Sequence, residues 1–271
     1  MDNQHKDLLL GQQTDYPDQY DPSLLCPIER AAGRKAISIE PVYGFDQWTA
    51  YELSWLNGKG KPEVAIADFV FDCHSSAIVE SKSFKLYLNS LNQTRFDSKE
   101  AVEARLVEDL TRVSEGKVRI KLYSSEEWSV LTPSELPGEC LDNMAISVDK
   151  YTIDSSFLIQ NKDCIDQGEY HSHLLRSLCP VTGQPDWASI AIQFKGARVC
   201  PEGLLKYLIS YRKHQDFHEQ CVERIYNDLM ERFKLEFLTV YARYVRRGGL
   251  DINPYRSSSP IDLTQDRLIR Q

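Results

Sequence analysis

Between residues 50 and 71 apolar and polar positions alternate. Tyr51, Leu53 and Trp55 stand against Ala50, Glu52 and Ser54, Asn57-Gly58-Lys59-Gly60 interrupts, and a second run extends from Val64 to Phe71. A two-residue period broken by glycine predicts a β-hairpin. From Ser81 the period lengthens, with Phe84, Leu88 and Leu91 near helical spacing, and Asp97 with Glu100 three residues on has the form of a capping box. Behind it Val102, Leu106, Leu110 and Val113 make one apolar helical face. Val118, Ile120 and Leu122 then alternate with Lys117, Arg119 and Lys121, as in a strand with one wet face. The first half therefore predicts strand, strand, helix, helix, strand.

The second half repeats that order. Ile190, Ile192 and Phe194 alternate, Leu204, Leu205, Leu208 and Tyr211 share one helical face, Val222, Ile225, Leu229 and Phe233 share another, and Leu235 to Val245 reads as a long strand. Tyr87-Leu88-Asn89-Ser90 aligns with Tyr207-Leu208-Ile209-Ser210, Val102-Glu103 with Val222-Glu223, and Asp109-Leu110 with Asp228-Leu229, while Phe96 falls one residue from register with Phe217. Self-similarity over one shared element order points to two related modules. Pro133, Pro137 and Gly138 break the segment between them and put the boundary between Leu131 and Asp142, dividing the chain into 1–135 and 136–271. Tyr151 to Gln160 is a candidate strand, and the tail beyond Gly248-Gly249 reads as an extended surface segment.

Composition narrows the class. With 42% hydrophobic and 27% charged residues, the chain is neither disordered nor a coiled coil. Forty acidic against 32 basic residues leave a net charge of −8, which argues against general affinity for nucleic acid or anionic membrane. The run Leu8 to Leu10 is too short for a signal-peptide core. Seven cysteines (Cys26, Cys73, Cys140, Cys164, Cys179, Cys200 and Cys221) without C-x-x-C spacing fit a reducing cytoplasm.

Chemistry concentrates in a few strings. In Cys179 to Trp187 two prolines and a glycine enforce a turn that holds a thiol and the Asp186 carboxylate near one another before a strand. That suits a nucleophile and a general acid; equally, Cys179 reads as a small buried hydrophobe and Asp186 as a turn residue. Burial beside Trp187 is the expected means of keeping Asp186 protonated. Glu80 to Tyr87 opens a helix with a carboxylate suited to the N–H edge of a purine-like ring and with Lys82 and Lys85 for phosphate, or simply forms a solvated first turn. Phe217-His218-Glu219 offers a proton shuttle and a second carboxylate, or an ordinary helix start. Arg243, Arg246, Arg247 and Gly248-Gly249 supply local positive charge with room for a phosphate, or a solvated strand end. His171-x-His173 and Cys73-His74 lack companions at zinc-ligand spacing, so no metal is expected, and neither a Rossmann nor a P-loop motif is present.

Glu80-Ser81-Lys82-Ser83-Phe84-Lys85-Leu86-Tyr87, the Cys179 to Asp186 string, Phe217-His218-Glu219 and the Arg246 to Arg256 string together resemble the NADPH-dependent 7-cyano-7-deazaguanine reductases, the nitrile reductases of queuosine biosynthesis. The resemblance runs from about Tyr16 to Ser257. It implies an α+β fold of tandem tunnelling-fold (T-fold) modules, antiparallel sheets each with a pair of helices on one face. It makes Cys179 the nucleophile that forms a thioimidate and Asp186 the proton donor. Val79, Glu80, Ser81, His218 and Glu219 become substrate contacts, with the part of His218 in proton transfer left open. Ser81, Lys82, Arg247 and Gly248 become contacts to NADPH, used twice per turnover. The motifs are divided between the modules, as in the long form of the family, so that one complete site needs both halves; Cys200, near the position of Glu80, reads as vestigial. A homodimer in the cytoplasm, without nucleic acid or membrane as partner, is implied as well. Two other readings stay open: a cyclohydrolase or pterin synthase on the same fold, and a non-catalytic purine-binding module.

Overall fold

The computed structural model describes residues 16–35, 37, 42–160, 166–260 and 267–271. The Leu8 to Leu10 run and Cys164 lie outside them. In chain order the elements are β1 (Pro27–Glu29), α1 (Arg30–Arg34), β2 (Tyr43–Leu56), β3 (Pro62–Asp72), β4 (Ala77–Val79), α2 (Ser81–Ser90), α3 (Lys99–Ser114), β5 (Val118–Tyr123), β6 (Glu139–Cys140), β7 (Gln167–Leu178), β8 (Pro185–Lys195), α4 (Pro201–Ile209), α5 (His218–Phe233), β9 (Phe237–Tyr244) and β10 (Leu250–Ser257). Two compact units divide them: Met1–Gly33, Asp46–Thr132 and Arg246–Asp251 form the first, and Arg34–Phe45, Pro133–Val245 and Ile252–Gln271 the second.

In the first unit β3 lies between β2 and β5, and α3 packs on β5. Its core is aromatic: Trp48 meets the rings of Phe71 and Phe84 at 5.3 and 5.2 Å, and Phe69 stands edge-on to Phe84 at 5.0 Å. Val102, Leu106 and Leu110 are buried along α3, as their spacing predicts. The cap sits one residue later than expected, on Ser98, whose Oγ accepts from the Ala101 N–H at 3.2 Å.

In the second unit the strand order is β10-β9-β8-β7-β6; β7, β8, β9 and β10 pair antiparallel, and β6 joins β7 in parallel. Here α5 packs on β9 and α4 on β7. Both units carry a helix pair with an antiparallel sheet, the α+β arrangement that the resemblance to tandem T-fold modules leads one to expect. The repeat extends to a buried hydrogen bond. Tyr87 donates to Asp109 at 2.7 Å, and Tyr207, aligned with it, donates to Asp228 at 2.6 Å. Ser90 and Ser210 likewise donate to the backbone carbonyls of Tyr87 and Tyr207.

Two sequence expectations fail. Tyr151 to Gln160 holds a 3₁₀ turn at Ser155–Phe157, where Asp154 accepts from the Ser156 N–H, instead of a strand. The first part of the tail after Gly249 is not a surface segment: all eight residues of β10 are buried, while residues 261–266 lie outside the described residues. Its polar residues are satisfied inside. Arg256, fully buried, donates from Nε and Nη2 to Glu223 Oε1 at 3.0 and 2.7 Å, and Arg34 grips both oxygens of Glu223 at 2.6 and 3.0 Å. A buried charge is tolerated when it is paired in this way.

Candidate active site

β7 and β8 form a hairpin whose tip carries the predicted nucleophile. The Cys179 N–H donates to the Gln184 carbonyl at 2.9 Å, the Gly183 N–H donates back to the Cys179 carbonyl at 2.9 Å, and Gly183 takes φ +69°, a conformation that favours glycine. Ser177 pairs in register with Asp186. Because side chains alternate along a strand, Ser177 and Asp186 share one face, and Cys179, one residue beyond the end of β7, continues that alternation as the diagonal neighbour of Asp186. Cys179 is 3% exposed and Asp186 4%. Trp187, next in sequence, faces the other way, 37% exposed, with the Arg176 and Arg212 guanidinium groups each 5.5 Å from its ring. The indole therefore does not bury Asp186, contrary to expectation.

His218 begins α5, and Nε2 lies 3.4 Å from Asp186 Oδ2. The Phe217 N–H just before it donates to Asp216 Oδ1 and Gln220 Oε1. The His218 ring stacks on Tyr244 of β9 at 3.7 Å with planes 1° apart, and its Nδ1 is buried with no hydrogen-bond partner among the described residues. Glu219 is 3% exposed. Burial pushes the Cys221 thiol and the Tyr244 hydroxyl well above their ordinary pKa values, and the nearby Asp186 carboxylate adds to both. Cys221 is therefore an inert neighbour. Sequence reading placed Tyr244 in a strand and gave it no part in the site, because ring stacking across two elements leaves no local spacing signal.

The first unit holds the other predicted residues. Glu80 is fully buried and N-caps α2, its two carboxylate oxygens accepting the N–H groups of Lys82 at 2.8 Å and Ser83 at 2.6 Å. Val79, also buried, ends β4. Ser81 opens α2, and the Lys82 ammonium donates to the Tyr16 hydroxyl at 2.9 Å. Arg247 and Leu250 exchange backbone hydrogen bonds around Gly248 and Gly249, whose φ values of +58° and +70° are those of a type I′ turn. At Gly249 the φ of +70° itself disfavours any side chain, and a Cβ there would also displace Glu52, whose Cδ would lie 2.4 Å away. Gly248, Gly249, Lys85, Asn89 and Glu52 line a cavity of about 330 Å³. Backbone, a lysine and amides around such a hollow can meet polar groups of a ligand, while Glu52 sets a carboxylate beside them.

Cys200 N-caps α4 as Glu80 caps α2, but makes no side-chain cap bond. This places it at the Glu80 position, as read from sequence. His171-x-His173 and Cys73-His74 do have companions. β6 sets Cys140 beside His171, so that Cys140, His171 and His173 offer ligand atoms within 4.8 Å of one another, and Asp72 joins Cys73 and His74 in the same way. Parallel pairing across thirty residues hides the first set from any spacing rule.

Comparison with known proteins gives the family. Residues 16–122 match the model described as nitrile reductase, 7-cyano-7-deazaguanine-reductase N-terminal, and residues 185–261 match that of the QueF-like proteins. A relative from Hydrogenovibrio crunogenus is 49% identical over 97% of this chain and 96% of its own length. One from Saccharophagus degradans is 48% identical over 97% and 98%, and one from Chromohalobacter salexigens 50% identical over 92% and 91%. All three are named NADPH-dependent 7-cyano-7-deazaguanine reductase.

Proposed function

The chain belongs to the NADPH-dependent 7-cyano-7-deazaguanine reductase family, and from that premise we propose that it reduces the nitrile of 7-cyano-7-deazaguanine to the primary amine, 7-aminomethyl-7-deazaguanine. The observation that carries the chemistry is the shared, buried face of Cys179 and Asp186 at one hairpin end. As the Cys179 sulfur attacks the nitrile carbon, Asp186 protonates the nitrile nitrogen and a covalent thioimidate forms. Bound NADPH supplies the hydride for each of two successive two-electron reductions. The carbon–sulfur bond breaks as the thioimidate is reduced to an imine, releasing Cys179, and the imine takes up the second pair of electrons and a further proton. His218, 3.4 Å from Asp186 and stacked on Tyr244, positions the carboxyl group. Glu219 and Glu80 bind the donor edge of the ring, with Val79, Ser81 and His218 as further substrate contacts. Ser81, Lys82, Arg247 and Gly248 hold NADPH.

The role in queuosine biosynthesis, the homodimer and the cytoplasmic location belong to the same proposal and rest on the family. Among the described residues no helix is long and apolar enough to cross a membrane. Incubation with the nitrile in the absence of NADPH, followed by intact-protein mass spectrometry, tests the mechanism. A single covalent adduct is expected in the wild type and none in Cys179→Ala. A wild-type protein that forms no adduct refutes it and leaves the purine-binding module.

A further inference from the structure

Strands β6 and β7 assemble a second group of reactive side chains in the second unit, away from the Cys179 turn. Cys140 is the Cα partner of His171 in the parallel ladder of β6 with β7, and His173 follows two residues on. Partners in register present their side chains to the same face of a sheet, and a strand returns to that face every second residue. The ladder of β7 with β8 slips between Ser172 and Leu175, and a bulge of this kind re-aims the side chain within it, here that of His173. The outcome is one thiol and two imidazoles, all partly buried, with donor atoms within 4.8 Å of one another.

The outer contacts of both rings match those of metal-bound histidines. His171 Nδ1 lies 2.9 Å from the Pro137 carbonyl oxygen, which only accepts, so the proton is on Nδ1 and the lone pair on Nε2. His173 Nδ1 lies 2.7 Å from Ser189 Oγ on β8, and a hydroxyl can accept from it in the same way. A ligating histidine commonly ties its other ring N–H to such an acceptor, which fixes the tautomer and the ring orientation. No described residue hydrogen-bonds to Cys140 Sγ, a free thiol, or to either Nε2. The ring centroids of His171 and His173 are 5.4 Å apart. Two imidazoles on one tetrahedral zinc, with Zn–N bonds of about 2.0–2.1 Å, stand about 5 Å apart. The neighbouring charges are one of each sign: Asp142 accepts from the His173 N–H and the Ser172 hydroxyl, and Arg270 donates to the His173 carbonyl. A thiolate on Cys140 then makes the group net anionic, and three protein ligands leave a fourth position for water. Asp72, Cys73 and His74 are a poorer set, since His74 Nδ1 is already 3.0 Å from Asp72 Oδ1 and Cys73 is fully buried.

We propose that Cys140, His171 and His173 bind a divalent transition metal of the zinc class, and that the metal staples β6, which only two residue pairs join to β7, to the edge of the sheet. His173 is about 20 Å along the strand from Cys179 by the rise per residue, so the site takes no part in the reaction proposed above and does not rest on it. The probe is Co²⁺ alone, added to the reduced protein after treatment with a chelator. One equivalent is expected to give the visible bands of a tetrahedral site together with a near-ultraviolet thiolate charge-transfer band, and Zn²⁺ to displace it. Cys140→Ser is expected to abolish the charge-transfer band. His171→Asn keeps an amide N–H for the Pro137 carbonyl but has no Nε2, and is expected to weaken cobalt binding by at least about 10- to 100-fold, the effect of disturbing even an outer contact of a ligand. Both variants are expected to keep the wild-type circular dichroism. In the wild type Zn²⁺ is also expected to shield Cys140 from alkylation, read by peptide mass mapping. A wild-type protein without the band, a band that survives in Cys140→Ser or is lost in Cys73→Ser, or cobalt binding unchanged in His171→Asn overturns the proposal. Cys140 alkylated equally with and without Zn²⁺ overturns it without recourse to any variant.

Discussion

Replacing Glu80 by alanine removes two things at once, and the structure allows them to be separated. Its carboxylate is fully buried and accepts two backbone N–H groups of the first turn of α2, at 2.8 and 2.6 Å. Loss of an N-cap costs about 0.5–2 kcal/mol, and each buried donor left unpaired costs about 1–3 kcal/mol. These figures overlap, because the cap is made of those bonds, and together they give a destabilisation of about 2–4 kcal/mol. For a chain of this size that lowers Tm by roughly 5–15 °C. Glu80→Gln keeps one oxygen acceptor and is expected to fall between wild type and alanine. The assay is a urea melt of the three proteins, followed by nitrile titration at a temperature where all are folded. Glu80→Ala melting with the wild type refutes the capping argument. A folded Glu80→Ala that binds the nitrile with wild-type affinity, where a loss of about 1–3 kcal/mol is expected, removes Glu80 from ring recognition.

Asp186→Asn keeps shape and loses the transferable proton, so nitrile binding is expected to persist while thioimidate formation slows by about 10²–10⁴-fold; stopped-flow absorbance follows it, and a wild-type rate would shift the donor role to His218. Arg256→Met keeps the Arg34–Glu223 ion pair and removes the Arg256 one, and breaking one arm of a buried ionic cluster is expected to cost about 3–5 kcal/mol in a urea melt. A change below 1 kcal/mol would mean that Glu223 does not depend on Arg256 for its charge to stay buried.

Local patterns carried the modules because each amphipathic element writes its period into consecutive residues. The α3 stripe Val102, Leu106, Leu110 and the α5 stripe Val222, Ile225, Leu229 were legible for that reason, and the Tyr-Asp pairs of both modules fell on the positions the internal alignment had matched. The turn at Cys179 was legible too, since proline and glycine act through their own backbone. Three features were not. β10 looked like a polar tail because Arg256 and Asn253 are hydrophilic, and only the fold brings Glu223 to Arg256 and the Tyr244 N–H to Asn253 Oδ1. The Tyr244–His218 stack joins residues 26 positions apart in sequence. Cys140 meets His171 only through a parallel strand pair. Sequence alone determined which segments are helix and strand wherever one face is wet. Tertiary structure decided which polar residues are buried and which side chains meet, because whether burying a charge or a ring is favourable depends on a partner that the chain supplies from a distant position.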